Sequence, residues 1–282
     1  MSVGLVLKDP SCSLVAEVAP IADARGFSHL LFTELSIPDV GPITGRDPFV
    51  LASIALGASE QLRSGTAVTG TPFHTPRHMA LRAATLQEQS GGRFVLGCGV
   101  AHQGFADLLG VAYPSAPVAH ARAYCDELRS ISGTLAFGAE LTIWLAALGE
   151  KMAATGAAHA DGIILNWVSP DWTRRTVQRA VQATGLSPTV AVLLRVARGA
   201  ALERAALKYL TTLPNYANHF ARQGLDSAAA VGAATGGPAD DPTRLAARIA
   251  AYREAGADVV CVYPADMDDE SIIEVISTTP TT

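Results

Sequence analysis

The chain has 282 residues, enough for one large domain or two small ones. It is apolar overall, 49% hydrophobic with only 17% charged residues, and modestly acidic. A net charge of −5, with no basic face, argues against nucleic acid as a partner.

Met1 runs straight into Ser2, Val3 and Gly4 without a charged and then apolar leader. The most apolar charge-poor stretch, residues 131–149, is broken by glycines and by Ser132, Thr134, Glu140 and Thr142, so no membrane span is expected. Cys12, Cys98, Cys125 and Cys261 form no Cys-x-x-Cys pair; Cys98 and Cys261 sit in apolar runs and read as small core residues. The expectation is a cytoplasmic, reduced and metal-free protein.

In chain order, residues 3–7 are a short apolar run that predicts a strand, followed by a helix over 13–25 that stops at Gly26. Residues 29–33 read as a strand, 47–57 as a helix and 66–68 as a short strand. Pro76 opens the next helix, because its missing N–H would be unpaired there anyway. Met79, Ala83 and Leu86 share one face of that helix, and Gly91-Gly92 ends it. Phe94-Val95-Leu96 follows as a strand, and Gly97-Cys98-Gly99 lets backbone approach a ligand. A helix over 119–132 carries Tyr124 and Leu128 on one side. Residues 143–147, 162–166, 190–196 and 259–262 are further apolar strands, with helices near 151–159, 173–184, 200–212 and 242–255. Residues 232–241, rich in Gly and Ala, read as a surface loop, and Asp266, Asp268 and Asp269 as a solvated helix start.

Eight strands, each followed by a helix, predict an α/β chain. Continuous apolar strands mean burial on both faces, as in a parallel sheet. Eight such units over this length fit a TIM (β/α)8 barrel. A doubly wound open sheet is the alternative, but no G-x-G-x-x-G follows the first strand. Without an internal repeat or linker, residues 1–282 are expected to form one domain.

The stretch Thr75-Pro76-Arg77-His78, Ala83-Ala84-Thr85-Leu86, Ser90-Gly91-Gly92-Arg93 and Leu96-Gly97-Cys98-Gly99 resembles the luciferase-like oxidoreductases, which include bacterial luciferase and coenzyme F420-dependent enzymes. Residues 144–149 with 160–167 are similar to that family's fifth and sixth strands, and 252–262 to its last helix and strand. The resemblance implies the barrel, a flavin or deazaflavin cofactor, a small-molecule substrate and a homodimer. It also implies a non-proline cis peptide on the third strand, within residues 65–70, against the cofactor ring. Thr66, Ala67, Val68 and Thr69 are therefore expected at the cofactor.

In a TIM barrel, chemistry sits at the C-terminal ends of the strands. These ends present Lys8, Asp9, Glu34, Thr69, Thr71, His102, Gly149, Asn166, Trp167, Arg195, Arg198 and Tyr263. His102 stands just past the fourth strand, where F420-dependent relatives often carry an acid; an imidazole can move a proton near neutral pH, or simply face solvent. Glu34 ends the second strand, where relatives often have Asp-His; here Leu35 takes the second place, and Glu34 reads either as an electrostatic aid to His102 or as a carboxylate bonded to backbone amides. Ala147, Leu148 and Gly149 precede a helix, whose first N–H groups favour an anion, and in relatives this loop meets the cofactor phosphate. Asn166 and Trp167 are expected beside the same phosphate, Trp167 equally as packing. His74 and His78 are separated by Pro76 and share no helix face, so no metal site is expected.

These features predict an F420-dependent oxidoreductase passing hydride between the deazaflavin and a small organic substrate. Two alternatives stand beside it. One is a monooxygenase using reduced FMN and oxygen, fed by a separate reductase; the other is a non-catalytic flavin-binding relative.

Overall fold

The computed structural model describes residues 2–34, 45–137 and 140–281; Leu35 lies outside the described residues. The apolar runs become strands β1 (Ser2–Leu7), β2 (His29–Phe32), β3 (Arg63–Thr66), β4 (Thr69–Gly70), β5 (Phe94–Gly99), β6 (Ile143–Ala147), β7 (Gly162–Asn166), β8 (Thr189–Ala197), β9 (Gly237–Pro238) and β10 (Val259–Pro264). All pairings are parallel. The order β1-β2-β3-β5-β6-β7-β8 is completed by β10, which pairs with both β8 and β1 and closes a TIM-type barrel. The third strand departs from its expected position at 66–68. It runs Arg63–Thr66, breaks at a cis Ala67–Val68 peptide inside the segment where one was expected, and resumes as β4, still paired to β5.

Four of the surrounding helices start the same way, with a capping side chain followed by proline. Asp47, Thr75, Ser169 and Asp241 accept backbone N–H bonds at the starts of α2 (Pro48–Gly57), α3 (Pro76–Gln89), α7 (Pro170–Thr184) and α11 (Pro242–Glu254). The cap satisfies one orphan donor and the proline removes another. The expected helices α1 (Cys12–Ala24), α5 (Pro117–Ser132), α6 (Glu150–His159) and α8 (Ala201–Thr212) are present. Three more have no strong sequence signal, α4 (Gln103–Leu109), α9 (Pro214–Arg222) and α10 (Ala228–Thr235), while the acidic cluster leads into α12 (Asp269–Thr278). The last begins after Asp268, which accepts from the Ser271 amide, so the acidic cluster is a helix start.

Residues 232–241 are not the surface loop expected from their composition. They finish α10 and form β9, which adds to the end of β8 through Val196↔Gly237 and Ala197↔Pro238. The small residues serve close packing: a Cβ on Gly236 would stand 2.6 Å from Leu202 Cδ1.

Strand alternation sorts the core into two shells. Along β8, Val192, Leu194 and Val196 face the helices, while Ala191 and Leu193 join Val6, Leu31, Val95 and Ile164 inside the barrel. Cys98 and Cys261 are fully buried, as their apolar settings predict. Trp144 also lies in the barrel interior, with its ring 5.1 Å from that of His29. Glycines make room for this filling. A Cβ on Gly162 would come within 2.6 Å of Trp144 Cδ1, and one on Gly97 within 2.0 Å of the Thr66 carbonyl oxygen. A third cluster, with Trp167, Leu213, Tyr216, Phe220 and Val231, packs α8, α9 and α10 over the barrel end.

Gly97→Ala is expected to destabilise the fold by roughly 1–3 kcal/mol, the usual cost of forcing atoms into a filled core. Gly57→Ala, with open space at the new Cβ and a helical backbone, is expected to hold or raise stability. Urea midpoints of the two variants measure the difference. Stability is also expected to depend on acid. Burial pushes His29 and His219 down to about 4 from 6.5, with Arg63 adding to the effect at His29. Between these values the unfolded chain binds protons that the folded one refuses, so stability is full above pH 6.5 and falls as pH drops toward about 4. The melting temperature measured across that window is expected to decline steadily, and a flat profile would contradict the burial of these rings.

Candidate active site

The inward alternation that fills the barrel continues past its packed layers and places polar groups at the C-terminal mouth. Asn166 follows Ile164 on β7, Arg195 follows Leu193 on β8, and Tyr263 follows Cys261 on β10; each continues its strand's inward-facing row. Together with Glu34, Val68 and His102 they line a cavity of about 950 Å³. That size suits a cofactor and a small substrate.

Glu34 sits just beyond β2 and is held from two sides. Its Oε2 accepts from the Gly70 amide at 2.7 Å, and its Oε1 contacts His74 Nε2. His74 is fixed in turn by Tyr124, whose hydroxyl donates to the His74 carbonyl at 2.8 Å. Thus the acid is indeed bonded to a backbone amide, and it also has a histidine partner. That partner comes from the loop after β4 rather than from the neighbouring position on the second strand.

His102 precedes α4, and its Nδ1 accepts from the Asn215 side-chain amide of α9 at 2.9 Å. The rings of Tyr216 and Phe105 flank it at 5.5 and 5.8 Å. Burial pushes its pKa down to about 4, so near neutral pH it is an uncharged imidazole. With Nδ1 accepting, its proton is on Nε2.

Across the mouth lies a connected set of polar and aromatic groups. Asn166 donates from Nδ2 to the Tyr216 hydroxyl at 2.7 Å, and its Oδ1 accepts from Arg195 Nη1. Arg195 Nη2 donates to the Tyr209 hydroxyl at 3.1 Å. Three rings surround the guanidinium carbon, with centroids at 4.3 Å for Trp167, 4.5 Å for Tyr263 and 5.1 Å for Tyr209. Burial pushes the Tyr216 and Tyr263 phenols well up, and the Arg195 charge opposes this.

The residues expected to touch a cofactor divide. Ala67, Val68 and Asn166 line the cavity. Thr66 lies below it, donating its hydroxyl to the Gly97 carbonyl at 2.6 Å. Thr69 is buried on β4, and its hydroxyl has no hydrogen-bond partner among the described residues. Trp167 is buried against Arg195, and its carbonyl accepts from His219 and Gln223. Ala147, Leu148 and Gly149 are not on the cavity wall; Leu148 packs into the cluster formed by α8, α9 and α10. Gly149 caps α6 without a side-chain bond, and a Cβ placed on it would lie 3.3 Å from Arg222 Nη1.

Sequence reasoning gave no role to His74, Tyr216 or Asn215. His74 becomes visible only when the chain folds it onto Glu34, and α9 carries no motif. Among the described residues there is no cluster of three metal-ligating side chains and no helix long and apolar enough to cross a membrane.

These arrangements fit a flat heteroaromatic cofactor. The cavity offers the apolar Ala67–Val68 backbone segment as one wall, with room left for a small substrate beside His102 and Arg195. The orphaned Thr69 hydroxyl lies on the same segment.

The family model described as luciferase-like monooxygenase matches residues 6–259. A curated relative, the 4-hydroxyprotoasukamycin monooxygenase of Streptomyces nodosus subsp. asukaensis, is 34% identical over 94 residues, covering 33% of this chain and 25% of that protein. The chain spans between a quarter and about half of the length of the curated relatives it matches. Among solved structures, an F420-dependent secondary alcohol dehydrogenase in complex with an F420-acetone adduct superposes with a TM-score of 0.78 at 14% identity, covering 99% of both chains. The oxygenating constituent of 3,6-diketocamphane monooxygenase from Pseudomonas putida, in complex with FMN, gives 0.69 at 15% identity, covering 99% of this chain and 98% of that one. At such identities the structural likeness is one of fold, and it spans enzymes of both cofactors. With the family model matched over most of its length, the chain belongs to the luciferase-like monooxygenase family.

Proposed function

We propose that the protein is an F420-dependent oxidoreductase acting on a small organic substrate held in the barrel-mouth cavity. One observation carries the reading: an uncharged His102 and the carboxylate of Glu34, which His74 holds from behind, border the same cavity as the Ala67–Val68 segment. When bound, the deazaflavin supplies the hydride exchange. The ring is assigned to the Ala67–Val68 wall, with Thr66 and Thr69 supporting that segment. The phosphate is assigned toward the start of α6, with Asn166 on the cavity wall and Arg222 beside Gly149; Ala147, Leu148 and Gly149 stand off that wall, where Leu148 packs against α8 to α10, and Trp167 is buried.

In this reading His102 donates its Nε2–H to the substrate oxygen. A neutral imidazole suits that task, because it stabilises charge growing on oxygen without losing its own proton. Asn215 fixes the ring and its tautomer. The accompanying proton belongs to the Glu34–His74 pair, whose carboxylate is held in place by the Gly70 amide. The sequence assigned proton transfer to His102 with electrostatic help from Glu34; the burial of His102 is the reason for dividing the roles this way.

Fluorescence titration of the protein with F420 and with FMN is the first test, and F420 is expected to bind at least about tenfold more tightly. The reverse preference would favour the reduced-FMN monooxygenase, and binding of neither would remove the cofactor assignment. A second test follows reduced F420 against a panel of small carbonyl compounds. His102→Ala is expected to lower the rate by about 10²–10³-fold, the loss typical of one oxyanion donor. F420 affinity should stay within about threefold. Because His102 is neutral down to about 4, His102→Gln should leave the pH profile near neutrality unmoved.

A further inference from the structure

Arg195 is a charged side chain in the inward-facing row of a barrel strand, and it is 5% exposed. Isolated buried charges are strongly disfavoured unless paired. Yet among the described residues no carboxylate lies within ion-pair distance of it. Its guanidinium donates to neutral oxygens, the Asn166 amide and the Tyr209 hydroxyl. The rings of Trp167, Tyr263 and Tyr209 attract the cation but supply no counter-charge.

The acids bordering the same cavity are committed elsewhere. Asp9 pairs with Arg46, Glu34 with His74 and the Gly70 amide, and Asp266 lies 4.0 Å from Arg204. The arginines that do have carboxylate partners, such as Arg174, Arg179 and Arg198, are exposed. The charge pattern is therefore inverted. Ion pairs stand at the surface where water would serve, while the buried guanidinium on the cavity wall has none.

The fork is also held rigid. Asn166 is tied to Tyr216, and Tyr216 meets Tyr209 edge-on at 4.7 Å, so both acceptors of Arg195 belong to one packed unit. A guanidinium has five N–H donors in a fixed plane, a geometry that matches a carboxylate with two parallel bonds. The phosphate region assigned to Gly149 has its own arginine, Arg222.

We infer that Arg195 is the anchor for a carboxylate on the substrate, which makes the substrate class small organic acids. The inference rests on the mouth cavity being the substrate site, as the proposed function requires. The substrate's carboxylate completes the ion pair that the protein leaves open, and Asn166 and Tyr209 keep the fork aimed before substrate arrives.

The test uses neutral isosteres as probes. Acetate, benzoate and phenylacetate, each against its own amide, are titrated calorimetrically into the protein with and without F420. At least one acid is expected to bind about tenfold or more tightly than its amide. Arg195→Met should abolish that preference, and Arg195→Lys should restore part of it by returning the charge without the fork. F420 affinity should change by less than about threefold in both variants. Acids and amides binding alike across the panel, or not binding at all, would overturn the inference. So would an Arg195→Met variant that loses F420 affinity yet keeps the acid preference, since the arginine would then serve the cofactor. A wild-type protein that ignores F420 but discriminates acid from amide would sink the cofactor reading and leave this one standing.

Discussion

A barrel closed by eight strands has a fixed width, and how its interior is filled decides what is left for chemistry. Trp144 and His29 occupy one part, and they fit because Gly162 beside Trp144 and Gly4 beside His29 add no side-chain volume of their own. Leu193, Ile164 and Cys261 form part of the apolar filling. One inward position further along, the strands carry Asn166, Arg195 and Tyr263. The active-site mouth is thus a direct product of a two-residue period meeting the end of a filled core. Small residues on one level and polar ones on another are parts of the same packing solution.

That solution keeps two kinds of polar group in different states. His102, largely covered, and His29, buried, stay neutral near pH 7. Arg195 is equally sheltered but is placed among aromatic faces and neutral oxygens. Neutral donors and a fixed cation thus share one opening, the arrangement on which the proposed acid substrate rests. Glu34 supplies the opposite character on another part of the wall, held by the Gly70 amide and His74. A bound molecule would therefore meet unlike electrostatics at its different ends, which orients it before any chemistry begins.

Much of the fold was legible because it rests on local rules. Apolar runs such as 162–166 and 259–262 could only be strands buried on both faces, and Pro76 with Gly91-Gly92 bounded α3 correctly. The start at Asp47 was similarly local. Composition misled at residues 232–241, where Gly236 serves close packing against Leu202 rather than a turn in solvent. That Glu34, His102 and Asn166 would border one cavity was legible because strand ends in a barrel converge. His74 was not, because its partner lies 40 positions away and the contact depends on how the loop after β4 folds back. Leu148 and Gly149 were named from a helix start, but the chain near them is overlaid by α8 to α10, whose burial no spacing announced.

That overlay changes how specificity can be understood. The barrel strands provide Asn166, Arg195 and Tyr263, whereas α8 and α9 provide Tyr209, Asn215 and Tyr216, which hold those side chains and His102 in place. The strand residues are constrained by barrel closure, since each must keep the inward row in register with its neighbours. The helical segment has no such constraint. Its contact with the site runs through side chains, and its sequence can change while the barrel stays closed. Substrate preference in this architecture is accordingly expected to be set by the helices α8 and α9, with the eight strands supplying a site whose basic chemistry is already arranged.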